Sequence, residues 1–190
     1  TYAKPMTVRS SRRLTREDWL LAGLDVLTTK GGEAMKAEPM ARHLKTTKGS
    51  FYWHFRDVSD YHHGLLALWE NAALADIASI REKQTGDVAC LRTLAQAFSD
   101  PEARNRILRA EGAIRAWAAG HTQAAATLAR VDAARLVALG GLLQEAGIGN
   151  PEMARIIYAA AIGMAGLNLD GAAENRSATG SLVDLVLALR

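Results

Sequence analysis

The sequence predicts an all-α protein, with three short helices in front, a long fourth helix leading out of them, and a larger helical bundle behind. Three observations predict this. Apolar residues recur at helical spacing over long segments, as in Leu65, Leu66, Leu68, Trp69, Ala72, Ala73, Ile77 and Ile80. Segment starts carry capping side chains and segment ends carry glycines. Strand pairs with hairpin signals, internal repeats and low-complexity tracts are not seen in the sequence.

The first helix is expected over residues 15–30. Thr15 can accept from the backbone of Asp18, which reaches back as a short capping-box acid, with Leu14 and Trp19 at the staple positions. Gly31-Gly32 should end it, because glycine turns left-handed without penalty. A second helix is expected over about 39–44, with Pro39 in its first turn and Met40, Ala41 and Leu44 inward. A third covers about 47–54, and the long fourth runs from Val58 into the 80s. After the polar break Lys83-Gln84-Thr85-Gly86-Asp87, helices fit 88–98, 101–119, 123–146 and 151–169. Asp100-Pro101 and Asn150-Pro151 place a capping side chain before a first-turn proline, Thr122 can cap the helix that follows it, and Gly147 and Gly149 close that helix. ENRSATGS (174–181) reads as a polar loop before a last apolar helix, SLVDLVLALR. The expected divisions are an arm at 1–14, a front domain at 15–60 and a rear domain at 61–190.

Half of the 190 residues are apolar and the net charge is only +3, an ordinary globular balance. The charge is unevenly placed. Residues 1–60 hold eleven Lys/Arg against seven Asp/Glu, and the remainder holds twelve against thirteen. A basic front third points to an anionic partner. No apolar run approaches the roughly 18–20 residues that span a bilayer. The opening TYAKPMTVRSSRR has no apolar segment after its basic residues, so it does not read as a secretory signal. One cysteine, Cys90, cannot staple the fold, which fits a cytoplasmic location.

The stretch KTTKGSFYWHFRD (45–57) concentrates four of the chain's eleven Phe, Tyr and Trp residues in five positions. As a strand, Phe51, Trp53 and Phe55 would share a face; as a helix, Phe51 and Phe55 stack one turn apart. The capping residues Thr46 and Thr47 and the lack of a strand partner favour the helix. Phe51 and Phe55 then point inward, and Thr47, Lys48, Gly49, Tyr52 and His54 face outward with Trp53 between the two sides. Two short helices joined at Lys45-Thr46 make a helix-turn-helix, whose second helix carries cationic and hydroxyl groups suited to a DNA groove.

This stretch resembles the recognition-helix signature of the TetR family of bacterial transcriptional regulators, most closely at Gly49-Ser50-Phe51-Tyr52-Trp53-His54-Phe55. The rear segments AEGAIRAWA (110–118), ARVDAARLVALGGLLQEAG (129–147) and MARIIYAAAIGMAG (153–166) resemble a pattern common in that family's second half. The resemblance implies a homodimeric repressor that binds a pseudo-palindromic double-stranded DNA operator and is released by a small-molecule inducer. It implies no enzymatic activity, cofactor or metal, and no membrane partner. DNA contacts are then expected from Lys36, Thr46, Thr47, Lys48, Gly49, Tyr52, Trp53, His54 and Arg56, with the basic arm Arg9, Arg12 and Arg13 as a possible addition. Three positions depart from the family's habit: Lys45 stands where glycine is usual, Val58 where lysine is frequent, and Ala37-Glu38 where a hydroxyl residue opens the second helix.

In the rear, Glu111, Arg115, Trp117 and His121 lie within three helical turns, and Asp132 and Arg135 follow on the next helix. They read either as structural ion pairs with a packed indole or as part of an inducer cavity. The expected ligand set is Phe98, Glu111, Arg115, Trp117, His121 and Tyr158. The small-residue helix 153–169 and the last helix are expected to pair across a two-fold axis through Met153, Ile157, Ala160, Met164, Leu167, Leu182, Leu185 and Leu189. Two other readings are an all-α enzyme centred on Glu111, Arg115 and His121, and a helical adaptor that binds protein. The adjacent His62 and His63 point about 100° apart on a helix and do not match a shared metal site.

Overall fold

The computed structural model describes residues 13–100, 105–167 and 172–189. Among them are nine α-helices: α1 (Arg16–Lys30), α2 (Ala37–His43), α3 (Lys48–His54), α4 (Val58–Lys83), α5 (Asp87–Ser99), α6 (Glu111–Ala118), α7 (Thr122–Glu145), α8 (Glu152–Ala165) and α9 (Ala172–Leu187). No strand occurs among the described residues. The all-α expectation holds, with α1–α3 in front and α5–α9 forming the rear bundle. Arg9 and Arg12 lie outside the described residues.

The α1 cap forms as the sequence implies. The Thr15 hydroxyl accepts from the Asp18 amide at 3.1 Å, and the Asp18 carboxylate accepts from the Thr15 amide at 2.8 Å. Helix α1 lies close against α4 because Gly23 has no side chain. A Cβ there would collide with the Tyr61 hydroxyl, which instead donates to the Trp19 carbonyl at 3.1 Å. Burial pushes the Tyr61 phenol well above its ordinary range.

The structure corrects four sequence expectations. The helix expected from 101 starts ten residues later. Residues 101–104 are outside the description, and a 3₁₀ turn at Leu108–Ala110 leads into α6 at Glu111. The Asn105 carboxamide accepts from the amides of Ile107 and Leu108, so it caps this turn and competes with a continuous helix. Thr122 does not cap α7. His121 does, its Nδ1 accepting from the Ala124 amide at 3.2 Å. Residues 174–181 are not a loop but the first half of α9. Their polarity hides a helix whose small residues pack on α5: Thr179 and Gly180 are buried, and a Cβ at Gly180 would press on Gln96 and Arg92. Finally, α8 ends at Ala165, four residues early, with 168–169 outside the description.

Two apolar clusters form the core. One joins Trp19, Met40, Phe51, Phe55, Tyr61, Leu65 and Trp69 to Leu108, Ile114 and Val131, so it runs from the front helices through α4 into α6 and α7. The other packs Leu91, Leu94, Phe98, Leu139, Leu142, Ile157, Tyr158 and Val183 among α5, α7, α8 and α9. Because the first cluster crosses residue 60, the front helices are seated directly on the start of the rear bundle.

Candidate nucleic-acid interface and rear ion-pair cluster

Helix α3 is only seven residues long, so it depends on its surroundings to form. Thr47 caps it, the hydroxyl accepting from the Ser50 amide at 3.2 Å. Phe51 anchors it from inside, with ring contacts to Trp19 at 5.5 Å, Phe55 at 5.1 Å and Tyr61 at 5.3 Å. The turn before it is a Schellman motif. The Thr46 amide donates to the Ala41 carbonyl at 2.9 Å and the Lys45 amide to Arg42 at 3.2 Å. Lys45 therefore sits in the left-handed region, at φ 53°, and no other described residue except glycine does so. The same motif closes α7, where the residue is Gly147 at φ 87°. A side chain in this conformation costs about 1–2 kcal/mol.

With Phe51 and Phe55 inside, α3 turns Thr47, Lys48, Gly49, Tyr52 and Trp53 to solvent. Trp53 is 78% exposed and takes no part in the core; the Arg13 guanidinium lies 5.3 Å from its ring centroid. His54, expected outward, is instead half-buried, because the last turn of α3 leans its ring toward Trp19 at 6.4 Å, and Thr46 is half-buried in the turn. Arg13, Thr47, Gly49, Ser50, Trp53 and His54 together line an open recess of about 310 Å³. Gly49 has an ordinary backbone, and a Cβ added there would meet only the Thr47 hydroxyl, at 3.7 Å. The protein's own packing leaves room for a side chain at that position.

The cations around this surface differ in what they already hold. Lys36 pairs with Glu33 at 2.9 Å, and Arg42 pairs with Glu38 at 3.0 Å. Arg56 leans on Asp60, whose carboxylate also accepts the Arg56 amide at 3.0 Å and faces Arg16 at 3.4 Å. Lys45 and Lys48 make no ion pair among the described residues. Lys48 is thus the exposed charge on α3 with no acid opposing it, whereas Lys36 and Arg56 present charges that acids partly offset. At the start of α4, where Val58 stands, Asp57 is the cap and accepts from Asp60 at 2.7 Å.

The six expected ligand residues fall into two groups. Glu111, Arg115, Tyr158 and Phe98 meet one another together with Asp132 and Arg135. Arg135 is fully buried and holds Glu111 with two bonds of 2.6 and 2.8 Å. Arg115 reaches Glu111 at 3.0 Å, Asp132 at 2.6 Å and the Tyr158 hydroxyl at 2.7 Å. That hydroxyl donates to Asp132 at 2.6 Å. The Arg135 guanidinium stacks 4.8 Å from the Phe98 ring centroid, and its Nε–H has no hydrogen-bond partner among the described residues. Burial opposes the charge on both arginines, but Asp132 beside Arg115 and Glu111 beside Arg135 outweigh it and hold each above its ordinary range. Burial pushes the Tyr158 phenol up to about 12, against the pull of the two arginines. Asp132 and Arg135, on the next helix in the sequence, complete the cluster although they lie outside the expected ligand set. A buried Arg is visible only once α7 is seen to turn that face inward.

Trp117 and His121 go elsewhere. Their rings lie 4.2 Å apart, and both meet His62 of α4, at 4.9 and 5.2 Å. A Cβ at Gly32 would collide with the Trp117 ring, so this trio sits where the front helices meet the rear bundle. His62 Nε2 is 2.8 Å from the Met35 carbonyl, and burial lowers the His62 pKa, with Met35 pulling it up and His121 down. His63 meets Gln123 instead. No group of three His, Cys, Asp or Glu able to hold a metal occurs among the described residues. The trio Glu111, Arg115 and His121 that an enzyme reading requires is not assembled.

On α8, Ile157 is fully buried among the rear core residues, which removes it from any surface that a second copy could reach. Met153 and Leu182 also pack largely inward. The neighbouring Ile156 is the exposed residue, and Leu167, Leu185 (69% exposed) and Leu189 (70% exposed) face outward with it, while Ala160 and Met164 are half-buried. Apart from Glu152 and Arg155, α8 holds only apolar and small residues and Tyr158, so its period does not single out Ile157 as the inward residue. Among the described residues no helix is long and apolar enough to cross a membrane.

No protein-family model and no curated protein matches the sequence. Solved structures do match the fold. A TetR-family transcriptional regulator from Rhodococcus sp., itself described as putative, superposes with a TM-score of 0.75 at 19% identity, over 90% of this chain and 98% of that one. A transcriptional regulator from Rhodococcus sp. Rha1 gives 0.72 at 20% identity, over 93% and 95%. The regulator FadR from Bacillus subtilis, in complex with stearoyl-CoA, gives 0.69 at 14% identity, over 92% and 98%. The chain has the fold of TetR-family transcriptional regulators, front helices and rear bundle together.

Proposed function

We propose that this chain is a TetR-family transcriptional regulator that acts as a homodimer in the cytoplasm, represses by binding a pseudo-palindromic operator, and is released by a small molecule held in its rear domain. The observation that carries the reading is the outward face of α3. Thr47, Lys48, Tyr52 and Trp53 stand in solvent around a glycine that the protein's own packing does not require. Gly49 makes sense as clearance for a close external surface. Lys48, the Tyr52 hydroxyl and Arg13 supply the cation and donors that duplex phosphates would take. The glycine weakens a short helix, and such a cost fits a position kept for contact.

Two copies would place their α3 helices in successive major grooves, about 34–36 Å apart if the half-sites lie one turn apart. The exposed Ile156 of α8, Leu167 just past its end, Leu185 of α9 and Leu189 just past its end, with the small residues Ala159 and Gly163 of α8, suit the apolar face by which two copies would pair. Release would require the small molecule to bind the two states of the dimer unequally. The test is gel retardation of DNA from the region upstream of the chain's own gene, titrated over salt. Saturable, sequence-dependent retardation that weakens linearly with the logarithm of salt is expected. Equal retardation of every sequence, or none at low salt, would overturn the reading.

A further inference from the structure

Four elements meet at His62, Trp117 and His121: α4, the end of α6, the start of α7 and the 3₁₀ turn Gly32–Ala34 that follows α1. Here the front helices rest on the rear bundle, with the Trp117 ring filling the place that a Cβ at Gly32 would take. The two imidazoles hold opposite roles. His62 Nε2 lies 2.8 Å from the Met35 carbonyl. A carbonyl only accepts, so this nitrogen carries a proton whether the ring is neutral or charged. His121 Nδ1 accepts from the Ala124 amide at 3.2 Å and so caps α7, a helix of 24 residues. An amide only donates, so this nitrogen must be bare.

Of the two rings, only His121 loses a bond on protonation. Its Nδ1 would turn an N–H toward the Ala124 N–H, and the cap would be lost. The new charge would also stand at the positive end of the α7 dipole and 5.2 Å from the His62 ring. Glu33, the carboxylate that lines the recess beside His121, already holds Lys36 at 2.9 Å. Arg115 of α6 is turned to Glu111 and Asp132, and His63 of α4 meets Gln123 and lies in the field of Glu70. The α1 residues at the recess, Leu27, Thr28 and Thr29, carry no charge. Burial lowers the His62 pKa, the Met35 carbonyl opposes this and His121 adds to it. Stability from a neutral His62 is therefore present above the unfolded value of 6.5 and is lost as pH falls below it, the same direction as loss of the His121 cap.

We infer that this junction is a proton-operated latch. Neutral His121 caps α7 and keeps Trp117 seated on Gly32; one proton on His121 frees the first turn of α7, unseats Trp117 and lowers operator affinity. The movement has a short path, because the Trp117 and His121 rings lie 4.2 Å apart and only residues 118–120 separate them in the chain. The link to operator affinity rests on the regulator reading above, whereas the latch itself rests on the geometry of the junction. Acid acts in the opposite direction at the front surface. His43 is exposed and His54 borders the outer face of α3, so charge gained there would tighten a phosphate contact as pH falls.

The test follows amide hydrogen exchange of the full chain at about pH 7.5 and about pH 5.5, the span in which imidazoles titrate, with rates corrected for the intrinsic effect of pH. Retardation of DNA from upstream of the gene is scored on the same samples. In the wild type, acidification should cut the protection of residues 31–36 and of residues 122–126 about tenfold each, and should weaken retardation by about the same factor. His121→Asn keeps an oxygen acceptor for the cap and takes up no proton in this range, so both segments and the retardation should change less than about threefold. His121→Ser serves the same purpose should the Asn variant not fold. His62→Gln keeps a donor for Met35 and should still open as the wild type does. Unchanged protection in the wild type, loss confined to residues 122–126, His121 variants that open like the wild type, His62→Gln that stays closed, or an opened wild type that still holds DNA would each overturn the inference. If DNA is retarded at pH 7.5 and protection does not move, only the latch falls. If no DNA is retarded at pH 7.5, the regulator reading falls and the latch stands or falls on exchange alone.

Discussion

The outer face of α3 and the interior shared by α6, α7 and α8 both carry cations, hydroxyls and aromatic rings, and they treat them in opposite ways. Inside, Arg115 and Arg135 are tied to Glu111, Asp132 and Tyr158 by bonds of 2.6–3.2 Å. On α3, Lys48 has no acid partner among the described residues, Tyr52 and Trp53 stand in water, and Gly49 leaves a gap. The first arrangement meets most of its polar groups from within the protein, Arg135 Nε–H excepted, so its removal should show in stability. The second is incomplete alone, so its removal should show in binding.

The contrast is tested hardest at Arg135. Arg135→Met keeps much of the volume but leaves Glu111 facing a lost bidentate partner in a buried site. The expected loss is about 3–5 kcal/mol of folding stability, read from the midpoint of chemical denaturation. A loss under about 1 kcal/mol would mean that the cluster is wet and of little structural weight. Lys48→Ala should do the reverse. Stability should stay within about 0.5 kcal/mol of the wild type, because the side chain is exposed. DNA binding should weaken across all sequences, with the salt slope falling by about 1. An unchanged slope would remove Lys48 from the phosphate contacts.

Lys45 lies between the two cases and sharpens the comparison. It holds a left-handed turn that Gly147 holds elsewhere in the same chain. Lys45→Gly should relieve about 1–2 kcal/mol of strain, partly offset by the greater freedom of the unfolded chain, for a net gain of up to about 1 kcal/mol in thermal melting. If the variant is more stable but binds DNA less well, Lys45 is kept in strain for a phosphate. If binding is unchanged, it is a tolerated stand-in for glycine.

Much of the front was legible in the sequence because its signals are local. The Thr15–Asp18 box, the Thr47 cap and the inward pair Phe51 and Phe55 each depend on residues within one turn. The rear was less legible because its determinants come from distant segments. Nothing local shows that α6 swings Trp117 and His121 toward His62 while Glu111 and Arg115 turn toward α7 and α8. The first half of α9 read as a loop because Asn175, Ser177, Thr179 and Gly180 are polar or small. Its reason to be helical lies on α5, where the Arg176 carbonyl accepts from Gln96 at 3.0 Å, and on α8, where Asn175 donates to the Met164 carbonyl at 3.0 Å. The mostly apolar and small composition of α8 likewise hid which side Ile156 and Ile157 take.

The central claim is that α3 presents an incomplete surface to DNA, and Gly49 tests it most directly. Gly49→Leu places a side chain where the free protein has room, on a helix that gains by losing glycine. Melting temperature and operator affinity are measured on the same preparation. The account predicts a melting temperature equal to or above that of the wild type and an affinity at least tenfold weaker at every salt concentration. Full operator affinity in the folded variant would contradict it, because no close surface would then lie against Gly49.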